Sequence, residues 1–206
     1  MQIFGLTEIR LKIIQLLVLI EGIMSIFSQI ISEELALETH QWLLMRIEPK
    51  LVKFQQEIKD CYTNYQIIVS STIPNLLGIG EGSTPESDDL FLGVIATIIC
   101  KNPSFSEFFN RLTTMKFEDY TTRRSSLLIR RFLRENYPKE IRSFIALLKS
   151  ESYSSSYLSK LKLEIQKIKR IGASSGYFFL VGVHWQLEYY EKQNQILIAN
   201  IQTEQD

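Results

Sequence analysis

The run 90–100, LFLGVIATIIC, is apolar on every side of a helical wheel. A helix of this kind has no face to offer to water, so it belongs in the middle of a bundle. Gly93 and Ala96 lie three apart within it and leave room for a neighbouring helix to come close. With 45% hydrophobic residues in 206, the remaining chain can build a core around it. That length suggests one domain or a small pair. No convincing strand ladder is visible elsewhere. We therefore expect an all-α bundle of about eight helices around two buried glycine-containing helices. The expected organisation is an N-terminal helical segment 1–75, a helical core 76–192 and a peripheral tail 193–206.

Start and stop signals place the surrounding elements. Thr7 suits the cap of a helix over 8–31, and Ser32 with Glu33 and Glu34 opens a second helix through Ile47. Pro49 marks a break or a new first turn before an amphipathic helix over 51–65. The β-branched stretch 65–71 fits a strand or a helix end, and Pro74 and Asn75 punctuate the chain after it. Asn102 and Pro103 end the central helix, and Ser104 can cap a helix over 105–115. Thr121 and Thr122 open an arginine-rich helix whose charges we read as a solvated face. Pro138 restarts a helix to Lys149. The run 150–156 is a loop by composition, followed by helices over 158–171 and 177–190.

Charge and cysteine usage remove several functional classes. Lys and Arg total 23 against 23 Asp and Glu, so no basic excess points to nucleic acid. Cys61 and Cys100 fit no metal or redox spacing, which favours two free thiols in a reducing cytoplasm. His40 and His184 are too few for a histidine-rich metal site; His184 reads as a satisfied core residue. The stretch 13–31 approaches the length of a membrane span, but Gln15, Glu21, Ser25, Ser28 and Gln29 interrupt it. We expect it to be a buried helix, with membrane attachment as the minor alternative.

The segment feeding the central helix, GIGEGSTPESDD over 78–89, carries the strongest chemistry. Gly78, Gly80 and Gly82 permit positive φ and close approach of another group to the backbone. Thr84 suits an N-cap and Pro85 the first helical position. Capping alone explains Thr84-Pro85-Glu86. It does not require three spaced glycines followed by the adjacent pair Asp88-Asp89. A P-loop is excluded by the missing Gly-Lys-Ser/Thr, and no clear strand precedes the segment as a dinucleotide fold would need.

A second turn, GASSG over 172–176, also opens an apolar helix with an internal glycine, Gly182. If the two helices pack directly, their N-termini converge on one pocket lined by N–H groups and the hydroxyls of Ser83, Thr84, Ser174 and Ser175. Helix N-termini attract anions, but Glu86, Asp88 and Asp89 oppose that charge. Two remedies are open: Asp88 and Asp89 could hold Mg²⁺, or Arg123 or Arg124 could reach over the site.

These residues resemble a known family. GIGEGSTPESDD…LG is similar to the GLGPGLTPSGDD…AG signature of the DUF2877 family, which includes the AllH-type subunit of oxamate carbamoyltransferase. Thr122, Ser125 and Leu128 resemble its T..S..L helix, and GASSGYFFLVG resembles its GHSSGWDxLAG. Glu81, Ser83 and Glu86-Ser87 depart from the first pattern, and Ala173 and Phe178 stand where the later one has His and Asp. The expected β-rich N-terminal segment is also missing, so the resemblance implies a divergent member.

The resemblance implies a subunit of a multi-protein enzyme that cleaves oxalurate with phosphate to oxamate and carbamoyl phosphate. It adds Thr122 and Ser125 to the ligand-binding set formed by Gly78, Gly80, Gly82, Ser83, Thr84, Ser174, Ser175 and Gly176. Asp88 and Asp89 are the catalytic candidates, holding a cation or orienting a proton-carrying group. Expected partners are a small anion (phosphate, carbamoyl phosphate or an oxamate-like acid) and other enzyme subunits. The competing reading is a non-catalytic scaffold in which the glycines serve helix packing alone.

Overall fold

A computed structural model describes residues 22–27, 38–64, 72–101, 109–110, 112–150 and 154–203. Among these residues all regular structure is helical. The helices are α1 (Glu38–Asn64), α2 (Thr72–Leu76), α3 (Glu86–Lys101), α4 (Arg123–Leu133), α5 (Lys139–Lys149), α6 (Ser155–Lys169) and α7 (Ser175–Thr203). A short 3₁₀ turn, Phe117–Asp119, precedes α4. The stretch 22–27 is also helical and buries Ile23 and Phe27. The all-α expectation holds.

The centre of the bundle is α3, buried from Ser87 through Ile99. Its closest partner is α7. A Cβ on Gly93 would lie 2.0 Å from the Phe179 carbonyl oxygen, and one on Gly182 would lie 2.0 Å from that of Leu90. Each glycine therefore admits the other helix's backbone. At the start of the two helices the Thr84 and Ser175 hydroxyls lie 3.1 Å apart. Their N-termini meet at one end of the bundle.

The other helices close around this pair through stripes at helical spacing. α1 contributes Leu43, Leu44, Ile47, Leu51, Phe54 and Ile58, with Phe54 edge-on to Phe91 at 5.4 Å. From α4 and α5, Phe132 and Phe144 meet Phe179 edge-on at 6.0 and 6.1 Å. The opposite face of α1 leaves Trp42, Met45 and Val52 exposed.

Several local expectations are corrected. The chain does not break at Pro49, because α1 runs through it. Proline removes one N–H and so strands the carbonyl of Met45. Both residues are exposed, where solvent can take the lost hydrogen bond. Pro74 and Asn75 lie inside α2 rather than in a loop. The last helix does not stop at Tyr190 but continues to Thr203. The readings for 65–71, for 102–108 and for most of 1–37 fall outside the described residues. No helix among the described residues is long and apolar enough to cross a membrane.

The cap at Thr122 is as expected: its hydroxyl accepts the Ser125 N–H at 3.2 Å. Arg123, Arg124, Arg131 and Arg134 are exposed. Arg130 is the exception on this helix. It pairs with Glu118 at 2.9 Å and donates to the carbonyls of Thr113 and Met115, tying the incoming segment to α4.

Candidate functional site

The first glycine turn is built by backbone geometry and closed by acids. Gly78, Gly80 and Gly82 have φ of 74°, 125° and 80°, a region that favours glycine. At Gly78 a Cβ would sit 2.5 Å from the Tyr120 carbonyl oxygen, and at Gly80 it would meet the Glu86 backbone nitrogen at 2.8 Å. A Cβ at Gly82 would meet nothing within 4 Å. The first turn of α3 then reaches back. The Gly78 N–H donates to Asp88 Oδ1, the Ile79 N–H to Ser87 Oγ and the Glu81 N–H to Glu86 Oε2, each at 2.8 Å. The Ser87 N–H returns to the Ile79 carbonyl at 3.1 Å.

Two details differ from the sequence reading. The Gly78 amide is committed to Asp88 instead of facing a ligand, because a carboxylate on the next helix turn is the nearer acceptor. Thr84 does not cap α3, which starts at Glu86. Its hydroxyl instead bonds the Ser175 hydroxyl at 3.1 Å, across to α7.

That contact makes the two turns one site. The hydroxyl groups expected to converge, Thr84 and Ser175, touch. A third segment joins them: the Thr121 hydroxyl donates to Asp88 Oδ2, and the Thr122 hydroxyl donates to the Ser83 carbonyl at 2.6 Å. Ser125 is buried, and its hydroxyl favours charge on Asp88 while completing no hydrogen bond of its own. Ser174 is half-buried, and its carbonyl accepts the Phe178 N–H at 3.0 Å. Gly176 serves packing: its N–H goes to Ile171, and a Cβ there would lie 1.8 Å from the Ile168 carbonyl oxygen. Gly80, Gly82 and Ser83 form the exposed rim, while Ala173 is exposed and Phe178 lies wholly in the core.

The two aspartates differ in their chemistry. Both oxygens of Asp88 accept protein hydrogen bonds. Burial raises its pKa, the Thr121, Gly78 and Ser125 groups oppose that, and Glu86 adds to it. Asp89 is 5% exposed, and its Oδ2 has no hydrogen-bond partner. Burial, then Asp88 and Glu86, push its pKa up to about 7 against the Ser175 and Thr84 hydroxyls. A buried carboxyl with one oxygen unpartnered relieves its desolvation by holding a proton. Asp89 is therefore poised to carry one near neutral pH.

Asp88 and Asp89 are the two carboxylates expected to hold a cation, and among the described residues no three His, Cys, Asp or Glu side chains gather. Other titratable groups lie elsewhere. His184 is on α7 beside Phe27, with ring centroids 6.0 Å apart. Its Nε2 is buried without a hydrogen bond, so it is not the satisfied core residue expected; burial lowers its pKa. Cys100 is a free thiol pushed up to about 11 by burial, and so is unreactive near neutrality.

Sequence reasoning missed Thr121. Its only signal was a second hydroxyl beside the Thr122 cap, and nothing local says that it turns towards an acid 33 positions away. Comparison with known proteins covers the same segments. A family model described as oxamate carbamoyltransferase subunit AllH matches residues 76–187. No curated protein and no solved structure gives a match. The matched stretch covers more than half of the chain and contains both glycine turns, the Thr121–Ser125 segment and both aspartates. The chain belongs to the AllH family of oxamate carbamoyltransferase subunits.

Proposed function

We propose that this protein works as a subunit of a carbamoyltransferase-type enzyme of oxalurate, oxamate and carbamoyl phosphate chemistry. In this reading it binds a phosphate or small carboxylate where the two glycine turns meet. The carrying observation is Asp89, a buried acid with an unpartnered oxygen at the junction of two helix N-termini. Those N-termini supply partial positive charge. Thr84 and Ser175 supply hydroxyl donors, and the rim Gly80, Gly82 and Ser83 frames the entrance. Asp88 fixes the turn, and Asp89 orients the proton-carrying group. Preorganised donors of this kind favour charge that develops on a transferring carbamoyl or phosphoryl oxygen. Other subunits and a reducing cytoplasm belong to the same reading; a free Cys100 is compatible with the latter.

The packing role of Gly93, Gly176 and Gly182 favours the scaffold as a second reading. Thermal unfolding with phosphate, carbamoyl phosphate and oxamate separates the two. A ligand at 100 times its Kd adds about 2.7 kcal/mol. We expect a shift with at least one of the three and its loss in a folded Asp89→Ala protein. No shift with any of them would overturn the anion site and leave the scaffold.

A further inference from the structure

We propose that the groove between the α4–α5 connection and α5 is a second binding site, for a small organic monocarboxylate. Arg142 takes the carboxylate, and Ile145 and Ala146 take an apolar body. The proposal does not rest on the anion reading of the glycine turns. Those turns meet the N-terminus of α4, whereas the groove lies beyond its C-terminus. The length of α4, Arg123–Leu133, separates the two by roughly 16 Å at about 1.5 Å per residue.

The groove is built from one face of α5 and the chain that leads into it. It holds about 370 Å³, and its lining includes Glu135, Tyr137, Arg142, Ile145, Ala146 and Lys149. That volume falls in the range of small-molecule sites. Arg142 and Lys149 stand two turns apart on α5, about 10 Å along its axis. Buried Ile145 and exposed Ala146 lie between them and form an apolar floor.

The two cations of the groove are in different states. At the end of α4 the Glu135 N–H donates to the Phe132 carbonyl at 2.9 Å and the Asn136 N–H to that of Arg131 at 2.8 Å. This closure leaves Glu135 at a φ of 54°, a position usually given to glycine. Among the described residues no other non-glycine has positive φ. The Glu135 side chain pairs with Lys149, whose charge is thereby matched. Arg142 has no such acid. Its Nε donates to the Tyr137 carbonyl at 3.0 Å, which fixes the guanidinium, and its terminal nitrogens have no partner among the described residues. A guanidinium held in this way presents a planar pair of donors that matches the two oxygens of a carboxylate. One unmatched cation calls for one negative charge, and the apolar floor calls for an organic acid rather than an inorganic anion.

Benzoate is the probe, because it joins one carboxylate to one apolar ring whose ring current reports where it sits. It is titrated into the methyl-labelled full chain and followed by NMR at the Ile145 and Ala146 methyls. We expect shifts there that saturate, with weaker binding of acetate, which lacks the ring, and of benzamide, which lacks the charge. Arg142→Gln should weaken benzoate about 10-fold or more. Arg142→Lys keeps the charge but not the planar donor pair, and should weaken it as well. Ala146→Glu leaves Arg142 in place, fills the floor with a like charge and should abolish binding. Positions 142 and 146 are both exposed, so all three variants should fold. No saturable shift at Ala146 in the wild-type protein, or Arg142→Gln binding as tightly as wild type, would overturn the site. Equal binding by Arg142→Lys would overturn the role given to the guanidinium. Benzoate shifts confined to the glycine turns would overturn this proposal and leave the anion reading of those turns standing.

Discussion

Asp89→Asn should stabilise the protein, and only when the solution is not acidic. The folded-state pKa of Asp89 is raised from 3.8 to about 7 by burial and by two neighbouring carboxylates. A raised acid pKa means that the folded protein prefers the protonated form. Its favourable contribution is complete below 3.8, is lost as pH rises through about 7, and is replaced by the full burden of an ionised buried group above that. Three pKa units correspond to about 4 kcal/mol. Asparagine is never ionised, so its packing effect is constant with pH and cancels when stabilities at two pH values are compared. Urea unfolding of both proteins at pH 4 and pH 8.5 should show the variant gaining up to about 4 kcal/mol relative to wild type across that interval. For a chain of this size that is about 8–16 °C in midpoint temperature. A difference that stays flat with pH would mean that Asp89 titrates as in the unfolded chain. A variant that becomes relatively weaker in alkali would mean that the junction prefers the carboxylate. Either result would refute the reasoning.

The glycines separate packing from backbone strain. Gly93→Ala and Gly182→Ala each push a methyl into a backbone carbonyl at 2.0 Å, so each should cost at least about 1–3 kcal/mol in urea unfolding. Gly82→Ala meets nothing within 4 Å but keeps a φ of 80°, so it should cost only about 1–2 kcal/mol of strain. Thr121→Val leaves Asp88 Oδ2 without its donor. It should lose about 1–3 kcal/mol at pH 8 and less in acid, where Asp88 can be protonated, as measured by denaturation at the two pH values.

The bundle was legible because its strongest signal is non-local by nature. A run with no polar side, such as 90–100, can be satisfied only at the centre, whatever its neighbours are. Gly93 and Gly182 then suggested which two helices touch, and the structure pairs them backbone to backbone. Boundaries were less legible. Pro49 breaks a helix only where its stranded carbonyl has no other partner, and exposure on α1 cannot be read from proline alone. The site shows the same division. Convergence of the turns followed from glycine packing, but the allocation of hydrogen bonds did not. Asp88 and Asp89 are chemically identical and adjacent, so no sequence argument separates them. The helical rotation between them turns one towards Gly78 and Thr121 and the other towards Thr84 and Ser175.

That difference also bears on whether the site is more than packing. Glu86, Ser87 and Asp88 each bind an amide of the glycine turn, so a structural role accounts for them. Asp89 has no such bond at Oδ2, and its burial among like charges works against folding near neutral pH. A neutral amide or hydroxyl would fill the same space beside Thr84 and Ser175 without that opposition. Strained or destabilising groups of this kind concentrate where a protein binds or transfers something. The scaffold reading explains Gly93, Gly176 and Gly182, but it offers no reason for a buried acid between the two N-termini whose Oδ2 lacks a partner.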